Sequence, residues 1–155
     1  MLKIKPLKQQ PGFCGVTSLK MVFDYLGLSL SEDRIKKITG ANAKIGTPLA
    51  GIKKAVGQLG LKIMIKDNAD FKDVAFWLNK NLPVIVGWFS QDEGHYSVVV
   101  GLDAKNIYLL DPEFGQRRKI SRIDFKRTWF DFEGEAMRSK SDLILRRLIV
   151  IRSAR

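Results

Sequence analysis

The spacing of apolar residues changes after about residue 60 of this 155-residue chain. Before that point they recur at steps of three and four, which is typical of helices with one buried face. After it they alternate or form unbroken runs, which is typical of strands. This order predicts an α+β fold, with a helical layer from residues 1–60 packed on an antiparallel sheet from residues 61–155. No repeat or linker separates the two parts, so we expect a single domain over residues 1–155.

Turn and capping residues set the limits of the predicted elements. Ser31 and Asp70 precede the second and fourth helices as N-caps, and Thr47 caps a third helix whose first residue is Pro48. A glycine follows each of the first three helices. The predicted helices are 14–26, 32–39, 48–59 and 71–78. The predicted strands are 61–66, 83–89, 96–102, 107–110 and 143–151, with a turn at 103–106.

The charge of the chain is strongly positive, with 27 Lys and Arg against 16 Asp and Glu and a formal net charge of +11. Part of the excess lies in one basic cluster, which runs from Arg117 to Arg127. Such a run is typical of a solvated basic face, although it can also attract anions without a specific site. No nucleic-acid-binding motif accompanies it, so we expect no specific nucleic-acid partner.

Hydropathy and residue counts exclude several classes of protein. No stretch approaches the roughly 20 apolar residues that cross a bilayer, and the first residues lack the apolar run of a secretion signal, so we expect a cytoplasmic protein without a membrane span. One cysteine and one histidine allow no internal disulfide and make a poor zinc site, which takes three or four protein ligands. We therefore expect no metal and no cofactor.

The single cysteine, Cys14, lies where a predicted turn, Gln10–Phe13, meets the first helix. Unpaired N–H groups and the helix dipole at that position stabilise a thiolate, the form of cysteine that acts as a nucleophile. The alternative is a small buried side chain without chemistry. The position of Cys14 alone does not decide between these interpretations.

Two further residues suit a partnership with Cys14. His95, the only histidine, follows a polar loop, 91–94, and precedes a strand, so its ring is predicted at a strand edge where it can take a proton from a thiol. Asp111 ends the next strand and can orient the imidazole. The alternatives are a loop histidine without a role and an Asp-Pro turn. Gln9 or Gln10 can donate to an oxyanion, unless both are exposed surface residues.

The ordered set of motifs resembles the C39-like, bacteriocin-processing peptidases. The segment Gln9-Gln10-Pro11-Gly12-Phe13-Cys14-Gly15-Val16-Thr17-Ser18-Leu19 is similar to the family's Q-x(4–5)-C-G-P-A-S-L. Residues 94–103 and 107–112 are similar to its G-H-[YF]-v-v-v-x-G-x-[DN] and I-x-[LV]-x-D-P elements. Gly46-Thr47 and the pair Phe125 and Trp129 extend the resemblance over nearly the whole chain.

The resemblance implies a papain-like fold and a cysteine peptidase that hydrolyses amide bonds through an acyl-enzyme intermediate. It implies Cys14 as nucleophile, His95 as general base and then acid, and Asp111 as the residue that orients His95. Gln9 is the preferred oxyanion donor over Gln10. Because no transporter segment is attached, we expect a free-standing enzyme with a peptide or protein substrate. The alternatives are a non-catalytic peptide-binding module and an acyl or peptidyl transferase.

The proposed triad makes one demand on the hairpin between the strands of His95 and Asp111. Their side chains share a face only if the numbers of paired residues sum to an even number, whereas a two-residue turn at Ala104-Lys105 gives an odd sum. We therefore expect either a turn with an odd number of residues or a β-bulge in one strand. Trp88 and Phe89, near the proposed cleft, are expected to belong to the core.

Overall fold

The computed structural model of the protein describes residues 1–91 and 93–155; one residue of the predicted polar loop, Asp92, lies outside them. Five α-helices occur in the described part of the chain. They are α1 (Cys14–Tyr25), α2 (Glu32–Thr39), α3 (Leu49–Gln58), α4 (Phe71–Leu78) and α5 (Arg122–Thr128), with a short 3₁₀ helix at Lys140–Asp142. The strands are β1 (Lys62–Lys66), β2 (Val84–Ser90), β3 (Glu93–Leu102), β4 (Asn106–Asp111), β5 (Gln116–Ser121), β6 (Phe130–Asp131), β7 (Ile144–Leu145) and β8 (Arg147–Arg152).

Six of the strands form one antiparallel sheet in the order β1-β8-β2-β3-β4-β5, and β6 pairs with β7 in a small second sheet. The consecutive strands β2 to β5 lie side by side, as antiparallel strands joined by short turns do. The last strand, β8, inserts between β1 and β2. The predicted α+β fold with an antiparallel sheet is confirmed.

Helices cover both faces of the large sheet, whereas the sequence predicts one helical layer. Side chains of α1, α2 and α3, including Phe23 and Ile52, form one buried cluster with Ile85 and Val98 of the sheet. On the opposite face, α4 and α5 contribute a second cluster around Phe125. Burial on both faces explains why β2 reads as a nearly unbroken apolar run instead of an alternating one.

Most predicted helix limits agree with the structure. Ser31 Oγ accepts from the backbone N–H of Arg34 (3.1 Å) and caps α2, and Asp70 caps α4. The prediction for α3 is wrong at its start: Pro48 is the N-cap, and the Thr47 side chain makes no capping hydrogen bond. The prediction of a helical first part is also wrong before Cys14, because residues 1–13 contain no helix.

The N-terminal segment instead lies along the sheet. The backbone N–H of Leu2 donates to the Val100 carbonyl oxygen (2.8 Å), and that of Gln9 donates to the Pro112 carbonyl oxygen (2.9 Å). These contacts bring the chain before Cys14 to the end of β4. The segment therefore helps to position the residues that follow it.

The largest differences from the predicted elements lie after residue 111. The predicted strand 143–151 is interrupted at Arg146, whose φ of 46° separates β7 from β8. Strand β5 and helix α5 were not predicted. Both lie within the basic segment that begins at Gln116, where polar residues outnumber apolar ones and no strand alternation is visible.

Candidate functional site

A β-bulge at Val100 sets the register of the hairpin formed by β3 and β4. The turn is short: Asp103 N–H donates to the Asn106 carbonyl oxygen (3.0 Å). Next to the turn, paired residue numbers sum to an odd number, and beyond the bulge they sum to an even number. The pairs are Leu102–Ile107 and Gly101–Tyr108 before the bulge, and Val99–Leu109 and Val98–Leu110 beyond it. The predicted bulge is thus present, and it turns His95 and Asp111 to the same face.

His95 and Asp111 are in direct contact. His95 Nε2 lies 2.6 Å from Asp111 Oδ1, and both side chains are almost completely buried. The same carboxylate oxygen accepts from the backbone N–H of Glu113 (3.0 Å), and Arg118 Nη1 donates to Oδ2 (2.7 Å). Burial alone would raise the pKa of Asp111, but the hydrogen bonds from His95 and Arg118 outweigh it and lower the pKa. Asp111 is therefore an ionised acceptor at neutral pH.

The His95 ring is bound to this carboxylate and shares the cleft with Cys14. Because Nε2 faces Asp111, Nδ1 is the ring nitrogen left for Cys14. Burial would lower the pKa of His95, but hydrogen bonding to Asp111 and to Cys14 outweighs it and raises the pKa to about 9. The protonated imidazolium is thus favoured at neutral pH.

Cys14 is the first residue of α1, and it is partly exposed. The N-cap, Phe13, provides no capping side chain, so the positive end of the helix dipole acts on the thiol without a competing side-chain acceptor. The preceding turn is set by Gly12, whose φ is 84°, and a Cβ there would lie 2.7 Å from the Ala43 carbonyl oxygen. Close contact with the neighbouring turn thus fixes the position from which Cys14 enters the helix.

The two candidate glutamines have different surroundings. Gln9 lines the same cleft as Cys14, and its buried Oε1 has no hydrogen-bond partner among the described residues. Gln10 is exposed, and its Oε1 accepts from Lys36 Nζ (2.6 Å), on α2. Of the two glutamines, Gln9 is the one that lies in the cleft.

The cleft that contains these groups has a volume of about 700 Å³. One wall is formed by Lys8, Gln9, Pro11, Gly12 and Cys14 and by the turn 43–46. Asn42 precedes this turn, and its Oδ1 accepts from the backbone N–H groups of Lys44 and Ile45 (2.9 Å each). The other wall is formed by residues 93–95 and by Glu113. Cys14 and His95 thus face a common space that is large enough for an extended peptide segment.

Aromatic residues support the floor of the site. Trp88 is buried, as predicted; its Nε1 donates to Ser97 Oγ (3.0 Å), and its ring meets the His95 ring at an angle of 63° with 6.0 Å between centroids. Phe89 is only partly buried and stacks on Phe130 and Phe132. The prediction of a core position is therefore right for Trp88, whereas Phe89 belongs to a partly buried aromatic stack.

Two charged residues at the site were not found from the sequence. Arg118 contacts Asp111 but was assigned to a solvated basic face, because β5 was not predicted. Asp131 lies against Gly94, where a Cβ would collide with its carboxylate. Burial raises the pKa of Asp131, although a hydrogen bond from the Phe132 backbone opposes the shift. No motif in the sequence marked either residue as part of a site.

Among the described residues, no three His, Cys, Asp or Glu side chains converge as metal ligands. In the same part of the chain, none of the helices has the length and apolar character needed to cross a membrane.

The antiparallel sheet, the helix that begins at the cysteine and the histidine on a facing strand define a papain-like α+β fold. The Peptidase C39 family model matches residues 6–133, and the chain belongs to this family. Two solved structures share the fold. The peptidase domain of Streptococcus ComA, a bifunctional ABC transporter of a quorum-sensing pathway, has a TM-score of 0.74 and 20% identity, with 96% of this chain and 98% of that chain covered. A double-glycine-motif protease from an AMS/PCAT transporter, solved with its leader peptide, has a TM-score of 0.72 and 20% identity, with 98% and 93% covered.

Two related sequences differ in length from each other. The chain is 29% identical over 119 residues to the lactococcin-G-processing and transport ATP-binding protein LagD of Lactococcus lactis. The matched region is 75% of this chain but only 16% of LagD. It is 30% identical over 117 residues to an uncharacterised protein of Methanothermobacter marburgensis, with 72% of this chain and 74% of that protein covered. The similarity to LagD is thus confined to a small part of the transporter.

Proposed function

We propose that this protein is a cysteine peptidase that hydrolyses peptide bonds. Cys14 is the nucleophile, His95 is the general base and acid, Asp111 orients His95, and Gln9 is an oxyanion donor. The observation that carries the proposal is the arrangement around His95, because Nε2 is bound to a buried carboxylate while Nδ1 is left for a thiol in the same cleft. Membership of the C39 family supports it.

The reaction follows from these positions. The Cys14 thiolate attacks the carbonyl carbon of the peptide bond, and the charge that develops on the oxygen is stabilised by the Gln9 amide and the backbone N–H of Cys14. The His95 imidazolium gives its proton to the leaving amine, which leaves a thioester on Cys14. His95 then takes a proton from water, the hydroxide attacks the thioester, and the acid product leaves as the thiolate is restored.

The proposed substrate is an extended peptide segment that lies along the cleft between residues 43–46 and residues 93–95. A structural neighbour was solved with a leader peptide, and the size of the cleft suits a chain segment of this kind. We propose that the substrate of this protein is a peptide or a flexible segment of another protein. The peptide bond that is cleaved would lie beside the Cys14 thiol.

Digestion of a peptide library by the wild type and by Cys14→Ser tests the proposal. We expect new peptide termini with the wild type and none with Cys14→Ser, because a serine hydroxyl is a much weaker nucleophile next to the same imidazole. Mass spectrometry identifies the termini and gives the cleavage preference. If the wild type and Cys14→Ser both bind peptides and neither produces new termini, the protein is a non-catalytic binding module. Products in which an amine has been joined to the new carboxyl end would indicate a transferase.

A further inference from the structure

Arg118 lies behind the proposed triad, where it shares the carboxylate of Asp111 with His95. Its Nη1 donates to Oδ2 at 2.7 Å, while His95 Nε2 lies 2.6 Å from Oδ1. The Asp111 side chain is fully buried, so these two side chains and the backbone N–H of Glu113 account for its observed hydrogen bonds. The carboxylate is thus fixed from both sides.

The Arg118 guanidinium is itself held in place by aromatic rings. It lies over Phe114 at 4.9 Å and over Trp88 at 5.9 Å, and Trp88 also packs against the His95 ring. A planar guanidinium that packs on aromatic rings loses little freedom when it binds a carboxylate. The contact with Asp111 is therefore a built arrangement and not an incidental surface ion pair.

We propose that Arg118 is a positioning residue that sets the orientation and the effective charge of Asp111 toward His95. The inference rests on the proposed function, because it concerns the same Cys14–His95 pair. By binding Oδ2, Arg118 leaves Oδ1 directed at the imidazole. By its charge, it offsets part of the attraction that Asp111 exerts on the imidazolium.

The charges around His95 come from several elements. Cys14 of α1, Asp111 of β4 and Asp131 of β6 act on the ring, and Arg118 of β5 acts through Asp111. Glu93, Glu113, Lys8 and Lys44 line the same cleft, and Arg147 of β8 acts on Asp131. Of the Lys and Arg side chains around the site, Arg118 is the one paired with Asp111, so its removal leaves that carboxylate without this compensating charge and favours the imidazolium.

The pH titration of His95 tests this role, and it is unambiguous because the chain has a single histidine. We compare by NMR the ring signals of the wild type and Arg118→Met, which keeps apolar contact with the rings but has no charge. The titration midpoint is expected to move upward by on the order of one pH unit. Arg118→Lys, which keeps the charge, is expected to restore most of the wild-type midpoint.

Lys119→Met is the matched control, since Lys119 is exposed on the same strand and the neighbouring residue of a strand points to the other face. Its midpoint is expected to equal that of the wild type. Should Arg118→Met not fold, Arg118→Gln carries the same prediction, because it also removes the charge. A midpoint in either neutral variant that equals the Lys119→Met value would overturn the proposal.

The same titration separates this inference from the proposed function. A wild-type midpoint near 6.5, the ordinary value for histidine, would count against the Cys14–His95 pair itself. An elevated wild-type midpoint that Arg118→Met leaves unchanged would count only against Arg118. The rate of alkylation, measured at each pH, gives an independent test of the Cys14–His95 pair. Because the chain has a single cysteine, this rate reports the thiolate of Cys14 alone.

Discussion

Gln9 and Gln10 are neighbours in the chain, yet only Gln9 lies in the cleft with Cys14. Gln10 is turned toward Lys36 of α2. The sequence could place a glutamine before the nucleophile but could not choose between the two. The choice depends on the fold of residues 1–13, which follow the end of the sheet through contacts such as that of Gln9 with Pro112.

This difference predicts opposite outcomes for two adjacent substitutions. Gln9→Ala should lower kcat on the order of 100-fold, with a smaller effect on KM, because an oxyanion donor acts mainly in the transition state. Gln10→Ala, which removes an exposed side chain, should leave both constants close to the wild-type values. Steady-state kinetics on a peptide found by the library digestion measures both. Similar losses in the two variants would contradict the assignment of Gln9.

The conformation of the turn before α1 depends on Gly12. Its φ of 84° and the nearby Ala43 carbonyl oxygen leave no room for a Cβ. Gly27 has a similar φ of 86°, but nothing lies within 4 Å of a Cβ there. Alanine at Gly27 would therefore introduce backbone strain alone, whereas alanine at Gly12 would introduce both backbone strain and a steric collision.

Both glycines are predicted to matter for stability, but only Gly12 for the site. Gly27→Ala should cost about 1 kcal/mol of unfolding free energy from backbone strain alone and leave peptide cleavage unchanged. Gly12→Ala should cost more and should also lower the rate of cleavage, because the collision with Ala43 displaces the turn that positions Cys14. Denaturant unfolding and peptide cleavage, measured on both variants, test the prediction. Equal cleavage rates would show that Cys14 does not depend on this contact.

The hairpin shows which parts of the fold the sequence could predict. Strand alternation and the positions of His95 and Asp111 were enough to require an odd turn or a bulge. They could not locate the bulge at Val100, whose carbonyl oxygen accepts from Leu2 at the start of the chain. Arg118 was missed for a related reason: β5 is an edge strand of polar residues, and only its pairing with β4 turns one of its arginines toward Asp111.

The cleft differs in charge from the molecule as a whole. The net charge is +11, yet the cleft carries lysines on the wall of Cys14 and glutamates on the wall of His95. These are Lys8 and Lys44 on one side and Glu93 and Glu113 on the other. The excess of positive charge therefore lies elsewhere on the surface, and an electrically neutral peptide can enter the cleft without a large electrostatic cost.

The stability of the whole molecule should depend on the pH through His95. Burial opposes protonation, but Asp111 and Cys14 outweigh it and raise the pKa of His95 from 6.5 to about 9. Because the pKa of His95 is higher in the folded state than in the unfolded state, protonated His95 stabilises the fold. This contribution is fully present below pH 6.5 and is lost as the pH rises through 9. The loss amounts to as much as about 3 kcal/mol for a shift of this size.

His95→Asn removes the titrating group and provides the reference for this effect. The unfolding free energy of the wild type, measured with urea at fixed pH values, should decrease relative to that of His95→Asn between pH 6.5 and pH 9. Cys14→Ala should show a smaller decrease that begins at the same pH but ends at lower pH, because one of the two groups that raise the folded-state pKa of His95 is then missing. A constant difference between the wild type and His95→Asn over this range would mean that the imidazolium is not stabilised by folding, and the charge-paired state of the proposed triad would lose its physical basis.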